Sequence, residues 1–92
     1  MSIAAENLVR RNPTVLFTDL GTEVILMDAQ AGLYFNAKQV GASIWALLET
    51  PQTLREICEA LQTKYQIDTE TCARETAQFV TKLQEAQLVT IE

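Results

Sequence analysis

The spacing of apolar residues changes period once along this chain, near residue 38, and that switch decides most of what it can fold into. Before it, apolar residues come in short β-prone runs; after it, they recur every three or four positions. Val15-Leu16-Phe17-Thr18 is a β-prone run. Asp19-Leu20-Gly21 supplies turn chemistry, with Gly21 suited to a positive φ. Glu23-Val24-Ile25-Leu26-Met27-Asp28 is apolar on both faces through its middle, which predicts a central strand. Ala29-Gln30-Ala31-Gly32 turns the chain again, and Leu33-Tyr34-Phe35 predicts a short third strand. Consecutive strands with short connections predict an antiparallel meander.

Past the switch, Val40, Ile44, Leu47 and Leu48 share one helical face, with Asn36 as the expected N-cap. Thr50-Pro51-Gln52 breaks that helix. Thr53-Leu54-Arg55-Glu56 has the form of a capping box, in which the Thr hydroxyl accepts from the third helical N–H while Glu56 reaches back. Leu54, Ile57, Cys58, Leu61 and Tyr65 form the stripe of the helix it opens. Asp68 caps a third helix, with Glu70 in its first turn. Apolar and small residues of this helix cover about 180° of arc, more than the roughly 100° a core stripe needs. Ala73, Ala77 and Val80 lie toward one side of the arc, and Cys72, Phe79, Leu83 and Ala86 toward the other. Gln87-Leu88-Val89-Thr90-Ile91 alternates and predicts a short terminal strand. Residues 1–12 are expected to be a polar lead-in, and 13–92 one domain. Three strands followed by three helices predict an α+β fold with the outline of a winged helix-turn-helix, a three-stranded antiparallel sheet followed by three helices.

Composition narrows the functions open to it. The 92 residues, 48% of them hydrophobic, suffice for one core and not two. The net charge is −5. Residues 68–92 carry only Arg74 and Lys82 against five carboxylates, Asp68, Glu70, Glu75, Glu85 and Glu92, which disfavours a nucleic-acid partner and an anionic membrane. No apolar run approaches the ~20 residues of a membrane helix, and the start lacks the form of a signal peptide, so a cytoplasmic protein is expected. There is no histidine. Without it, Cys58 and Cys72 cannot complete a zinc site, and Ser2 and Ser43 have no base to activate them. No metal, cofactor or catalytic residue is expected, and both cysteines are assigned to the core.

The ordered set Asp28, Gly32, Tyr34, Gly41, Ile44 and Trp45 stands in the spacing D-x3-G-x-Y-x6-G-x2-I-W. A Thr-led helix and the segment Tyr65-Gln66-Ile67-Asp68 follow. In this the chain resembles the PqqD-like family of peptide-recognition domains, over roughly residues 12–91, and more specifically the discrete domains of lasso-peptide pathways. It departs from the family where Ala37-Lys38 replaces a common Leu-Asn before the first helix. The resemblance implies a non-catalytic adaptor. Such an adaptor takes the leader segment of a ribosomally made precursor peptide as an extra β-strand and delivers it to a leader peptidase and an ATP-dependent cyclase. By position it assigns the receiving edge to Gly32, Leu33, Tyr34, Phe35 and Asn36, and the groove wall to Ala73, Thr76, Phe79, Val80 and Leu83. Tyr34 is left with two roles, packing in the core with its hydroxyl at the rim or touching the leader. A carrier for pyrroloquinoline quinone or another radical-SAM pathway, a DNA-binding winged helix, and an oligomerisation subunit are the alternatives.

Overall fold

In the computed structural model, which describes residues 3–28, 30 and 32–92 except for the side chain of Leu33, the strands number six and form two sheets. Ala29 and Ala31 of the expected turn lie outside the described residues, as does Ser2. The elements are β1 (Leu8–Arg11), β2 (Val15–Asp19), β3 (Glu23–Asp28), β4 (Leu33–Lys38), α1 (Val40–Leu47), β5 (Gln52–Thr53), α2 (Leu54–Lys64), α3 (Thr69–Glu85) and β6 (Val89–Ile91). One sheet is the expected meander, β2-β3-β4, antiparallel with β3 in the centre. The other, β5-β1-β6, is also antiparallel and joins the two ends of the chain. The α+β class and the three helices agree with expectation.

The second sheet corrects the polar lead-in. Residues 8–11 form its central strand, and Val9 is completely buried. Polarity misled because only Arg10 of the pair extends outward; side chains alternate along the strand, so Val9 and Arg11 share the inward face. Arg11 is held rather than solvated. Its guanidinium lies 4.5 Å from the centre of the Trp45 ring and 4.8 Å from that of Phe17, and its Nε donates to the Trp45 carbonyl at 3.2 Å. Burial lowers its pKa, partly opposed by Glu49.

The helix caps follow local chemistry. In the capping box of α2, Glu56 N–H donates to Thr53 Oγ1 at 3.1 Å and Thr53 N–H donates to Glu56 Oε1 at 2.8 Å. Asp68 accepts from Thr71 N–H at 3.0 Å, and this hydrogen bond holds its carboxyl below the usual range. At the end of α3, Leu88 N–H donates to Leu83 C=O and Gln87 N–H to Gln84 C=O, both at 2.9 Å, while Gln87 takes φ 62°. This is a Schellman motif with glutamine where glycine is the norm, and it turns the chain into β6.

The expected N-cap of α1 is corrected. Asn36 lies within β4, which runs on to Lys38, and the helix starts at Val40 after Gln39 at φ 52°. Gln39 N–H donates to Thr22 C=O at 2.8 Å, so the β3–β4 ladder is extended into the turn where a cap would otherwise form.

Trp45, Ile44 and Leu48 from α1 and its C-cap meet Ile57 and Leu61 of α2 and Val80 and Leu83 of α3, all at most 2% exposed. Cys58 and Cys72 are free thiols buried between α2 and α3, and burial raises the pKa of Cys58. With no exposed thiolate, they pack as small hydrophobes.

Candidate functional site

An antiparallel ladder alternates hydrogen-bonded with non-hydrogen-bonded pairs, so one bond on each side of β3 sets the phase of the whole sheet. Leu20 N–H donates to Glu23 C=O at 2.8 Å across the β2–β3 turn. With the Gln39–Thr22 bond, this directs Glu23, Ile25 and Met27 toward β2, and Val24, Leu26 and Asp28 toward β4. On β4, the backbone groups of Leu33, Phe35 and Ala37 therefore face β3. Those of Tyr34, Asn36 and Lys38 point the other way. Among the described residues they meet no strand there, because β4 pairs on one side only. An unpaired edge is a template for another chain. β2 is the sheet's other edge; β4 is the one whose ring, that of Phe35, meets Phe79 of α3.

Side chains on β4 alternate between the faces. Phe35 stands in register with Leu26 and Phe17 on the inner face, half-buried. Its ring meets that of Phe79 edge-on, with centroids 6.0 Å apart and planes at 72°. Asn36 is on the outer face and donates from Nδ2 to Glu23 Oε2 at 2.8 Å. Tyr34 is also on the outer face, 73% exposed, which removes its core role. Gly32 takes φ 71° in the turn leading into β4, a conformation that favours glycine.

On α3, the residues expected to line the groove separate. Phe79 alone is both accessible and beside β4. Thr76, Val80 and Leu83 are buried in the core, so they support the groove from beneath. Ala73 is exposed but faces the other way. It lines a concavity of about 780 Å³ with Ile3, Ala5, Leu54, Ala77 and Thr81, into which β4 puts no residue. The wide apolar arc thus has the core at its centre and a groove on either flank. A sequence periodicity cannot say which part of an arc is the middle.

The pocket next to Phe79 is small, about 140 Å³; Thr76 lines it too, and the rest of its wall comes from residues the sequence reading did not assign to the groove, among them Val40, Gly41 and Ile44 of α1, Leu61 of α2, Ile67 and Glu75. Gly41 was visible as a fixed member of the spaced motif. The structure supplies its reason, because a Cβ there would lie 2.9 Å from Phe79 Cζ. Among the described residues there is no group of three potential metal ligands, and no helix is long and apolar enough to cross a membrane.

The family model described as coenzyme PQQ synthesis protein D, PqqD, matches residues 23–89. The chain belongs to the PqqD family. Domains of this family are non-catalytic peptide-binding adaptors. Among solved structures, the chain is similar to TbiB1, in complex with the TbiA(beta) leader peptide. The two share 31% identity with a TM-score of 0.82, over 87% of this chain and 93% of that one. A lasso peptide synthetase B1 complexed with its leader peptide shares the fold at 22% identity and a TM-score of 0.76, over 89% of this chain and 96% of that one. No curated protein matches.

Proposed function

We propose that this chain captures the leader segment of a ribosomally made precursor peptide as a fourth strand on β4, and presents the rest of the peptide to a leader peptidase and an ATP-dependent cyclase of a lasso-peptide pathway. The observation that carries this reading is the free backbone edge at Tyr34, Asn36 and Lys38 on a strand whose Phe35 ring meets Phe79, a wall of the small pocket on α3. The 31% identity to TbiB1, whose complex holds a leader peptide, supports the capture of a leader. The helices beside a β-hairpin sheet agree with a winged helix-turn-helix outline. The carboxylates around Arg74 and Lys82 on α3 argue against its use on DNA. Every partner in this scheme is a cytoplasmic one.

The edge by itself gives little net affinity. Each added hydrogen bond contributes about 1 kcal/mol. Ordering each guest residue costs about 1–2 kcal/mol. Net binding therefore comes from guest side chains that bury apolar area, about 1.5–3 kcal/mol for each large one. The pocket between Phe79, Gly41 and Ile44 has room for one such side chain. Glu75 at its mouth favours a guest without a carboxylate nearby.

The test is a titration of the chain with a synthetic peptide carrying the leader of the precursor encoded beside it. Phe79→Ala should weaken binding by about tenfold or more, the equivalent of one lost anchor. Gln78→Ala, on the exposed side of α3, should bind like the wild type. Equal affinities for the two folded variants would remove the groove from the reading.

A further inference from the structure

The concavity of about 780 Å³ on the flank of α3 that faces away from Phe79 takes no part in the capture site. Its two walls differ. One is apolar, made of Ile3, Ala5 and Leu54. That wall is tied to the start of α2: Arg55 N–H donates to Ala5 C=O at 3.0 Å, Leu54 N–H donates to Asn7 C=O at 3.2 Å, and Arg55 pairs with Glu6. The other wall is α3 itself. Ala73, Ala77 and Thr81, four apart, form a row of small residues, and Arg74, Gln78 and Lys82 form the next row outward. The groove runs on along the α2–α3 seam, since Ala5, Leu54 and Ala73 also line an adjoining hollow of about 260 Å³.

Charge says what kind of guest fits. The chain has a net charge of −5 and seven basic side chains. Arg10, Lys38 and Arg55 are paired with Glu92, Glu23 and Glu6. Arg11 lies on the Trp45 ring, and Lys64 donates to Ser43 Oγ at 3.1 Å. Arg74 and Lys82 are left without an ion pair among the described residues, Arg74 acting on Asp68 only at longer range. Both line this groove, against the single carboxylate of Glu70, so the groove is positive on an acidic molecule. They are two turns apart on α3, about 12 Å along its axis.

Backbone chemistry says what form the guest takes. The N–H and C=O groups in the middle of α3 are spent inside the helix, so this groove offers no open edge of the kind β4 has. An extended guest would bury unpaired backbone groups there, whereas a helical guest satisfies its own. The row of small residues lets two helix axes approach to about 8 Å. A concavity of about 780 Å³ matches about two turns of a helix roughly 10 Å across, the same length that separates Arg74 from Lys82. Its concave shape excludes a flat lipid surface.

We infer that this groove docks a short amphipathic helix of a partner protein, its apolar stripe between Leu54 and Ala77 and its carboxylates, two turns apart, on Arg74 and Lys82. The site is separate from peptide capture and stands whether or not the leader binds. A chain engaged in both ways holds a guest strand on one flank of α3 and a partner helix on the other.

The probes are two synthetic peptides of about 18 residues, long enough to be helical. They share a leucine stripe and carry beside it a row of Glu in one and of Lys in the other. The Glu peptide should bind about tenfold more tightly at low salt, with the gap shrinking as salt is raised. Its binding should shift the amide resonances of Ala73, Ala77 and Thr81. Arg74→Glu combined with Lys82→Glu should reverse the preference, so that the Lys peptide binds better. Ala73→Phe, at an exposed position, should fill the groove and weaken the Glu peptide about tenfold. Ala73→Phe and Arg74→Glu should each keep leader affinity within about twofold. Equal affinity of the two peptides for the wild type overturns the inference, as does an unreversed preference in the double variant. So do unmoved resonances at Ala73, Ala77 and Thr81, or full affinity in Ala73→Phe. A larger loss of leader affinity in either single variant overturns it too, by making the two flanks one site. A concentration-dependent dimer of the chain alone, dispersed by Arg74→Glu, overturns it by making the occupant a second copy. Failure of the wild type to bind the leader sinks the capture reading and leaves this inference standing.

Discussion

Gly41 is where one atom separates packing from binding. It is the second residue of α1, a position where alanine would ordinarily gain up to about 1 kcal/mol of helix propensity. Its backbone lies in the ordinary helical region, so conformation does not demand glycine. Space does. An added Cβ would stand 2.9 Å from Phe79 Cζ and 3.0 Å from Cε1. Those atoms end a half-buried side chain, so the ring yields before either backbone does. The ring then leaves its edge-on contact with Phe35 and intrudes on the pocket beside it. Gly41→Ala should therefore melt within about 1 kcal/mol of the wild type, propensity offsetting the lost contact. It should bind the leader several-fold more weakly. Paired thermal melts and leader titrations check this, and an unaltered affinity would mean that the ring position does not matter to the guest.

Strand β4 carries the next prediction, because its two sets of backbone groups have different duties. Phe35 N–H belongs to the ladder with β3, and Asn36 N–H belongs to the open edge. Proline lacks the donor and is tolerated in a sheet only where the N–H faces outward. Asn36→Pro should fold and lose leader affinity beyond the loss seen for Asn36→Ala, which controls for the side-chain bond to Glu23. Phe35→Pro should fail to fold. Circular dichroism with leader titration separates the cases, and full affinity in Asn36→Pro would show that the guest does not pair at this edge. The contrast also shows what the sequence could disclose. The caps of α2 and α3 were legible because Thr53, Glu56 and Asp68 act on groups three residues away. The central place of β3 was legible from its two apolar faces. The start of α1 was not, since nothing in the sequence marks Gln39, a non-glycine, for φ 52°. Nor was the division of α3, where Ala73 and Phe79 sit on opposite flanks of the same apolar arc and only tertiary packing chooses its centre.

At the scale of the whole molecule, the chain ends decide stability while the middle carries the site. Among the described residues β1 is the only strand partner of both β5 and β6. Leu8 exchanges backbone hydrogen bonds with Glu92, its N–H donating to the Glu92 carbonyl at 3.0 Å and its carbonyl accepting from Glu92 N–H at 2.8 Å. Removing residues 1–12 would strip two strands of their neighbour and open the core at Val9. It would also take Arg11 from between Phe17 and Trp45. The remaining 13–92 should lose its cooperative melt even though the family match begins only at residue 23. A subtler variant separates stability from function. Val9→Ala deletes two fully buried methyl groups, about 2 kcal/mol with the cavity included. In a domain of this size that lowers Tm by roughly 8–16 °C. β1 does not pair with β4 and puts no residue into the pocket at Phe79, so the folded fraction of Val9→Ala should bind the leader with wild-type affinity at a temperature well below its Tm. A proportional loss of affinity would mean that the two sheets are energetically one unit and that the edge at β4 is shaped from the far side of the core.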